Sequence, residues 1–137
     1  MAIGLTKISD TTIESSESVA TSALEWASDT GGTVINAGSG EWFSVVNIQV
    51  SVAFNASGTE DAEVHVRKSA DDGTTEDTEE EGTYLGTIEC SAGNTVTRTF
   101  QVYDFDYLDV GLKNGDGSYT VSWSAQYDGY KITGMAT

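Results

Sequence analysis

An all-β fold is predicted for this chain: an antiparallel β-sandwich, jelly-roll or immunoglobulin-like, of about eight strands. Three observations carry that prediction. Val46, Ile48, Val50, Val52 and Phe54 occupy every second position, with Asn47, Gln49, Ser51 and Ala53 between them, so one face of a long strand is apolar and the other polar. The same period of two returns as far as Tyr127, in segments separated by Gly, Asn and Asp clusters. No segment has helical periodicity, and short strands spaced this closely pack as two sheets face to face.

Each element follows from local pattern. Ser18 to Trp26 reads as a first strand and Thr33 to Ala37 as a brief second, closed by Gly31-Gly32 and Gly38-Ser39-Gly40. The long third strand runs from Trp42 to Phe54, with Trp42 assigned the inward parity of the valines, and Asn55-Ala56-Ser57-Gly58 turns the chain. In the fourth, Ala62, Val64 and Val66 face inward while Glu63, His65 and Arg67 face out. Tyr84 to Ile88 is the fifth strand. The sixth alternates Val96, Phe100 and Val102 with Thr95, Thr97, Thr99 and Gln101, leaving Arg98 as an anomaly on the apolar side. Tyr107 to Leu112 is the seventh. Lys113-Asn114-Gly115-Asp116-Gly117 is a hairpin loop whose Asn-Gly and Asp-Gly pairs supply residues that tolerate positive φ. Tyr119, Val121, Trp123, Ala125 and Tyr127 form the inner face of the eighth strand.

Size and charge bound the function. A chain of 137 residues is one domain, large enough to bury roughly two thirds of its unfolded surface. Residues 1–17 read as an extended N-terminal arm, with Ile8 and Ile13 isolated among Ser, Thr, Asp and Glu, and 18–137 as the single sandwich domain. Six Lys and Arg against 22 Asp and Glu give a formal charge of −16, which phosphate backbones and anionic lipid surfaces repel. Nucleic acid and membrane are therefore not expected partners, and no segment has the apolar length to cross a bilayer. Met1 to Lys7 lacks a secretory pattern, so export by a classical N-terminal route is not expected. Such an acidic surface suits very salty media. The chain has no proline, so its sheet edges need shielding by charge, bulges or neighbouring subunits.

Residues with chemistry are few. Cys90 is the lone cysteine and the lone histidine is His65, so no disulfide forms within the chain. Cys90 reads as a small apolar residue at a strand end, and His65 as a solvated or partner-facing ring. The acidic run from Asp71 to Gly82 offers Asp71, Asp72 and Asp77 as calcium candidates, because hard cations take carboxylate oxygens, although the run lacks the EF-hand pattern. A mobile, solvated loop is the competing reading. Asp104, Asp106 and Asp109 could form the carboxylate pair of a glycoside hydrolase, but read better as solvent-facing loop and strand-end residues. Trp42, Trp123, Tyr119 and Tyr127 share parity with core aliphatics. Tyr84, Tyr103 and Tyr130 are left as outward aromatics. Neither a nucleophile elbow nor a phosphate-cradling loop is present. No catalytic residue, cofactor or firm metal site follows.

The succession of Ser18-Val19-Ala20-Thr21-Ser22-Ala23-Leu24, the long valine-rich strand, Ser69-Ala70-Asp71-Asp72-Gly73-Thr74, Tyr107-Leu108-Asp109-Val110-Gly111-Leu112 and Tyr119-Thr120-Val121-Ser122-Trp123 resembles small β-sandwich virion proteins of tailed bacterial and archaeal viruses. The resemblance implies a non-enzymatic homo-oligomer located in the virion, on the capsid exterior as decoration or turret, or at the neck or tail. Its partners would be other virion proteins, met through strand edges and the N-terminal arm. Relatives commonly place an aromatic soon after the Asp-Gly-Thr turn, where this chain inserts its acidic run. The alternative expectation is a carbohydrate-binding or adhesion module presenting outward aromatics; a hydrolase using Asp104 to Asp109 ranks third.

Overall fold

The computed structural model describes residues 2–38, 40–68 and 82–136. Among them are nine strands: β1 (Ala2–Val19), β2 (Leu24–Trp26), β3 (Ile35–Asn36), β4 (Trp42–Ala53), β5 (Ala62–Lys68), β6 (Thr83–Ile88), β7 (Thr95–Phe105), β8 (Tyr107–Asn114) and β9 (Val121–Ala136). A single 3-10 turn, Ala27–Asp29, follows β2. Every pairing is antiparallel.

One sheet runs β1-β9-β4-β7 and the other β2-β8-β5-β6, with β3 beside β2 on the same edge of β8. Taken together, β2 and β3 are one interrupted strand, leaving eight. Lettered B to I along the chain, these run B-I-D-G and C-H-E-F, the jelly-roll order rather than the immunoglobulin one. The inner faces supply the core: Val46, Ile48, Val50 and Val52 meet Val64, Leu108, Val110 and Leu112, all fully buried. Each such side chain contributes about 1.5–3 kcal/mol by leaving water.

Several local expectations change. Within the arm expected over 1–17, residues 2–17 do not hang free, because β1 pairs along its whole length with β9. Ile13 and Val19 are buried in the core and Ile8 packs against it. Trp42 lies outside, 37% exposed, because the β4–β9 register shifts between Phe43 and Val45 and reverses the parity beyond that bulge. Phe43 takes the inward place, its ring 5.5 Å from that of Phe105. Tyr119 precedes β9 and is 39% exposed rather than core.

In the β8–β9 loop neither Gly115 nor Gly117 uses its tolerance of positive φ. Side chains organise it instead. Asn114 donates to the carbonyls of Tyr119 (2.9 Å) and Ala20 (3.3 Å), while Asp116 accepts from the N–H groups of Ser118 and Tyr119 through one oxygen and Thr59 through the other. Gly115 is required by space: a Cβ there would stand 2.5 Å from the Asp61 carbonyl oxygen.

Candidate functional site

The inner faces make the core, with a recess of about 370 Å³ beside Val66, Leu85 and Val102, and the broad polar surfaces are the outer ones. On the β1-β9-β4-β7 sheet, strand register sets outward side chains of β7, β4 and β9 in rows. Tyr103, Val45 and Tyr130 make one row, then Gln101, Asn47 and Asp128, then Thr99, Gln49 and Gln126, then Thr97, Ser51 and Ser124. The first is aromatic, with Tyr103 56% and Tyr130 42% exposed, and Trp42 lies just beyond it.

Hydrogen bonds run across the strands within these rows. Gln101 Nε2 donates to Asn47 Oδ1, and Asn47 Nδ2 to Asp128 Oδ1, both at 2.9 Å. Gln126 Nε2 donates to Gln49 Oε1 at 2.9 Å, and the Ser51 and Thr97 hydroxyls share a bond of 2.7 Å. Tyr103 Oη donates to Gln101 Oε1 at 2.6 Å, joining the aromatic row to the amide row. Amides linked this way are held in one orientation, yet each keeps unused capacity, since an amide carries two N–H donors and two lone pairs.

Two shallow depressions indent this face on either side of the Gln49–Gln126 pair. One, of about 260 Å³, is lined by Thr12, Glu14, Ser51 and Ser124; the other, of about 250 Å³, by Asp10, Asn47, Thr99 and Asp128, and both include Gln49 and Gln126. Ordinary small-molecule pockets span roughly 300–1,000 Å³. Each depression alone is small, and the pair suits an extended ligand.

The opposite outer face is covered by its own side chains. Register aligns Trp26, Gly111, His65 and Tyr84 across β2, β8, β5 and β6. Gly111 makes room for the indole: a Cβ there would lie 2.7 Å from Trp26 Cε3. His65, expected in solvent, is therefore buried, 3% exposed, with its ring 5.8 Å from that of Tyr84 and Nε2 3.3 Å from Glu63 Oε1. In the adjacent row Arg67 faces Asp109. Arg67 donates to Asp109 Oδ2 through Nε (3.0 Å) and Nη2 (2.8 Å), and its guanidinium lies 4.4 Å over the Trp26 ring. Ser28 donates its N–H to Asp109 Oδ1 and its hydroxyl to Oδ2. Asp109 is thus fully buried rather than solvent-facing.

With both oxygens of Asp109 engaged, the hydrolase trio does not assemble into a carboxylate pair through that residue. Asp104 is exposed, at φ +53°, and Asp106 is half-buried. Cys90 is half-buried at the end of β6, and its N–H donates to Asp61 Oδ1 at 2.8 Å. Burial, with the Asp61, Asp116 and Glu60 carboxylates, raises its thiol above the ordinary value, opposite to what a nucleophile needs. Asp71, Asp72 and Asp77 lie outside the described residues. Among the described ones, no three His, Cys, Asp or Glu side chains group to hold a metal ion, and no helix is long and apolar enough to cross a membrane.

Sequence parity already set Asn47, Gln49, Gln101, Ser124 and Gln126 outward. Their union into one platform was hidden, because that depends on β4 lying between β7 and β9, and strand order is not written in periodicity. No protein-family model, curated protein or solved structure matches the chain.

Proposed function

We propose that this chain is a non-enzymatic structural protein of a tailed-virus particle, on the capsid exterior or at the neck or tail, that assembles through a strand edge with copies of itself and with other virion proteins. The observation that carries the reading is an asymmetry between the two edges of the β1-β9-β4-β7 sheet. The β1 edge is broken by four register shifts, a device that keeps an edge from recruiting strands. The β7 edge is less broken: it pairs with β4 residue for residue from Thr95 to Tyr103, and its irregularity is confined to Asp104, at φ +53°.

The stretch from Thr95 to Tyr103 presents about 31 Å of backbone at roughly 3.4 Å per residue. The cation of β7 does not guard the edge, since Arg98 Nη1 turns to the Thr87 carbonyl of β6 at 2.6 Å. A regularly paired edge without proline is a template for another strand. The sequence resemblance supports the virion setting, and the jelly-roll order, which recurs in viral capsid and lectin domains, is in keeping with it as analogy. Docking is therefore assigned to β7, with β1 committed to its own sheet.

Proline placed singly at Thr97, Arg98 and Thr99 tests this. Alternate residues of an edge strand point their N–H groups to opposite sides, so at least one of the three substitutions removes an outward donor while sparing the β4 ladder. That variant should keep the β circular-dichroism spectrum and lose self-association and co-sedimentation with virus particles. A wild-type chain that stays monomeric and binds no particle, or three variants that all assemble normally, would overturn the proposal.

A further inference from the structure

We infer that the outer face of the β1-β9-β4-β7 sheet is a platform for a neutral glycan, an extended chain of uncharged sugar units laid across the Gln49–Gln126 pair. Charge is the first argument. In the four rows across β7, β4 and β9 the ionisable side chain at neutral pH is Asp128, β1 adds Asp10 and Glu14 at the depressions, and no base stands among these residues. Such a face repels a phosphate or uronate polymer, whereas its carboxylates can accept hydrogen bonds from the hydroxyls of a partner that is itself uncharged.

Hydrogen-bonding capacity is the second argument. A sugar hydroxyl donates and accepts at once, so it is recognised by donors and acceptors fixed side by side. Gln49 keeps both amide N–H groups because its oxygen accepts from Gln126, and Gln126 keeps its carbonyl oxygen. Asn47, bonded on both sides, presents the same pair of functions one row away. Holding these groups before binding lowers the ordering cost that weakens recognition by mobile amides.

Position supplies the third. Tyr103 and Tyr130 flank the amide rows at one end, exposed, where ring faces can pack against the C–H side of a sugar. The two depressions continue the track away from them. A second copy of the chain fits less well, because the middle of the platform is polar and lacks the apolar centre that drives protein interfaces.

This inference is independent of the assembly edge. The test uses the full-length protein on an array of soluble glucans, mannans, galactans and xylans, with alginate as the charged comparison, followed by calorimetry on any polysaccharide that binds. At least one neutral polysaccharide should bind, with affinity nearly unchanged between about 0.1 M and about 1 M salt, because no ion pairs are exchanged. The double variant Gln49→Ala, Gln126→Ala and the single variant Tyr130→Ala should each weaken binding by roughly tenfold or more without changing particle binding. If the double variant does not fold, Tyr130→Ala carries the test alone. Failure of the wild type to bind any neutral polysaccharide, preference for alginate, binding untouched by the variants, or variants that alter self-association instead would each overturn the platform. Because edge assembly is read separately with the β7 proline variants, either proposal can fail without the other.

Discussion

Arg67 and Asp109 oppose each other across β5 and β8 on the covered face, with Asp109 fully buried and the Arg67 side chain 16% exposed. Removing one partner of such a pair strands the other charge out of water, at a cost of about 3–5 kcal/mol. Asp109→Ala should therefore lower the unfolding free energy by an amount in that range, read as a downward shift of the denaturant midpoint, whereas replacing both residues, Arg67→Met with Asp109→Leu, should recover much of the loss. A midpoint unchanged in Asp109→Ala would mean that the pair contributes nothing. Asp116 gives a second residue-scale expectation. The N–H of Ser118, then that of Thr59, holds its pKa below the ordinary 3.8. A carboxylate depressed by folding stabilises the fold above its unfolded pKa, and that contribution disappears as pH falls through the lower, folded value. Stability measured downward from pH 4 should fall in the wild type and fall less steeply in Asp116→Asn, which starts lower at neutral pH. Neither residue betrayed its role in the sequence. Asp109 alternates correctly with Leu108 and Val110, but nothing in that alternation says that Trp26 and Ser28 will lie over its face.

Elements were legible in proportion to the regularity of their alternation. β4 and β8 keep a nearly unbroken period of two and were located within a residue or two. β1 was missed because its inward residues Ile8, Ile13 and Val19 stand five and six apart, and only the register shifts between Ile8 and Thr11, Thr12 and Glu14, and Glu14 and Glu17 return them to one face. The end of β9 was missed for a related reason: Gly129 fills the inward place after Tyr127, so the apolar alternation stops there. It is glycine because a Cβ would collide with the Val45 carbonyl oxygen. The consequence for truncation is direct. A chain beginning at Ser18 loses the strand that covers the β9 edge, together with the burial of Ile13. It should unfold well below the wild-type temperature rather than simply lose assembly, and Ile13→Ala alone should cost about 2–5 kcal/mol. A truncated chain with an unchanged melting temperature and intact amide protection in β9 would show that β1 adds nothing to the domain.

At the scale of the whole molecule, the excess of acids over bases governs stability more than any single contact on the surface. Of the described cations, Arg67 is committed to Asp109 with Asp29 nearby, and Lys131 to Glu41 at 2.8 Å and the Ala37 carbonyl. Six bases cannot neutralise 22 acids, so folding gathers like charges that the extended chain keeps apart. Salt relieves this repulsion, since the screening length falls from about 10 Å at 0.1 M to about 3 Å at 1 M. The melting temperature at neutral pH should accordingly rise steeply between those concentrations, equally in sodium and potassium chloride, and then flatten once the screening length is shorter than the spacing of surface carboxylates. Two controls separate this from salting-out of apolar surface, which continues to strengthen in sulfate at high concentration. Near pH 4, where many carboxylates are protonated, the chloride-dependent rise should shrink. The penalty of Asp109→Ala should persist in 1 M salt, because a buried pair is screened far less than exposed charges. A melting temperature that is flat or falling with chloride at neutral pH would contradict repulsion as the governing force.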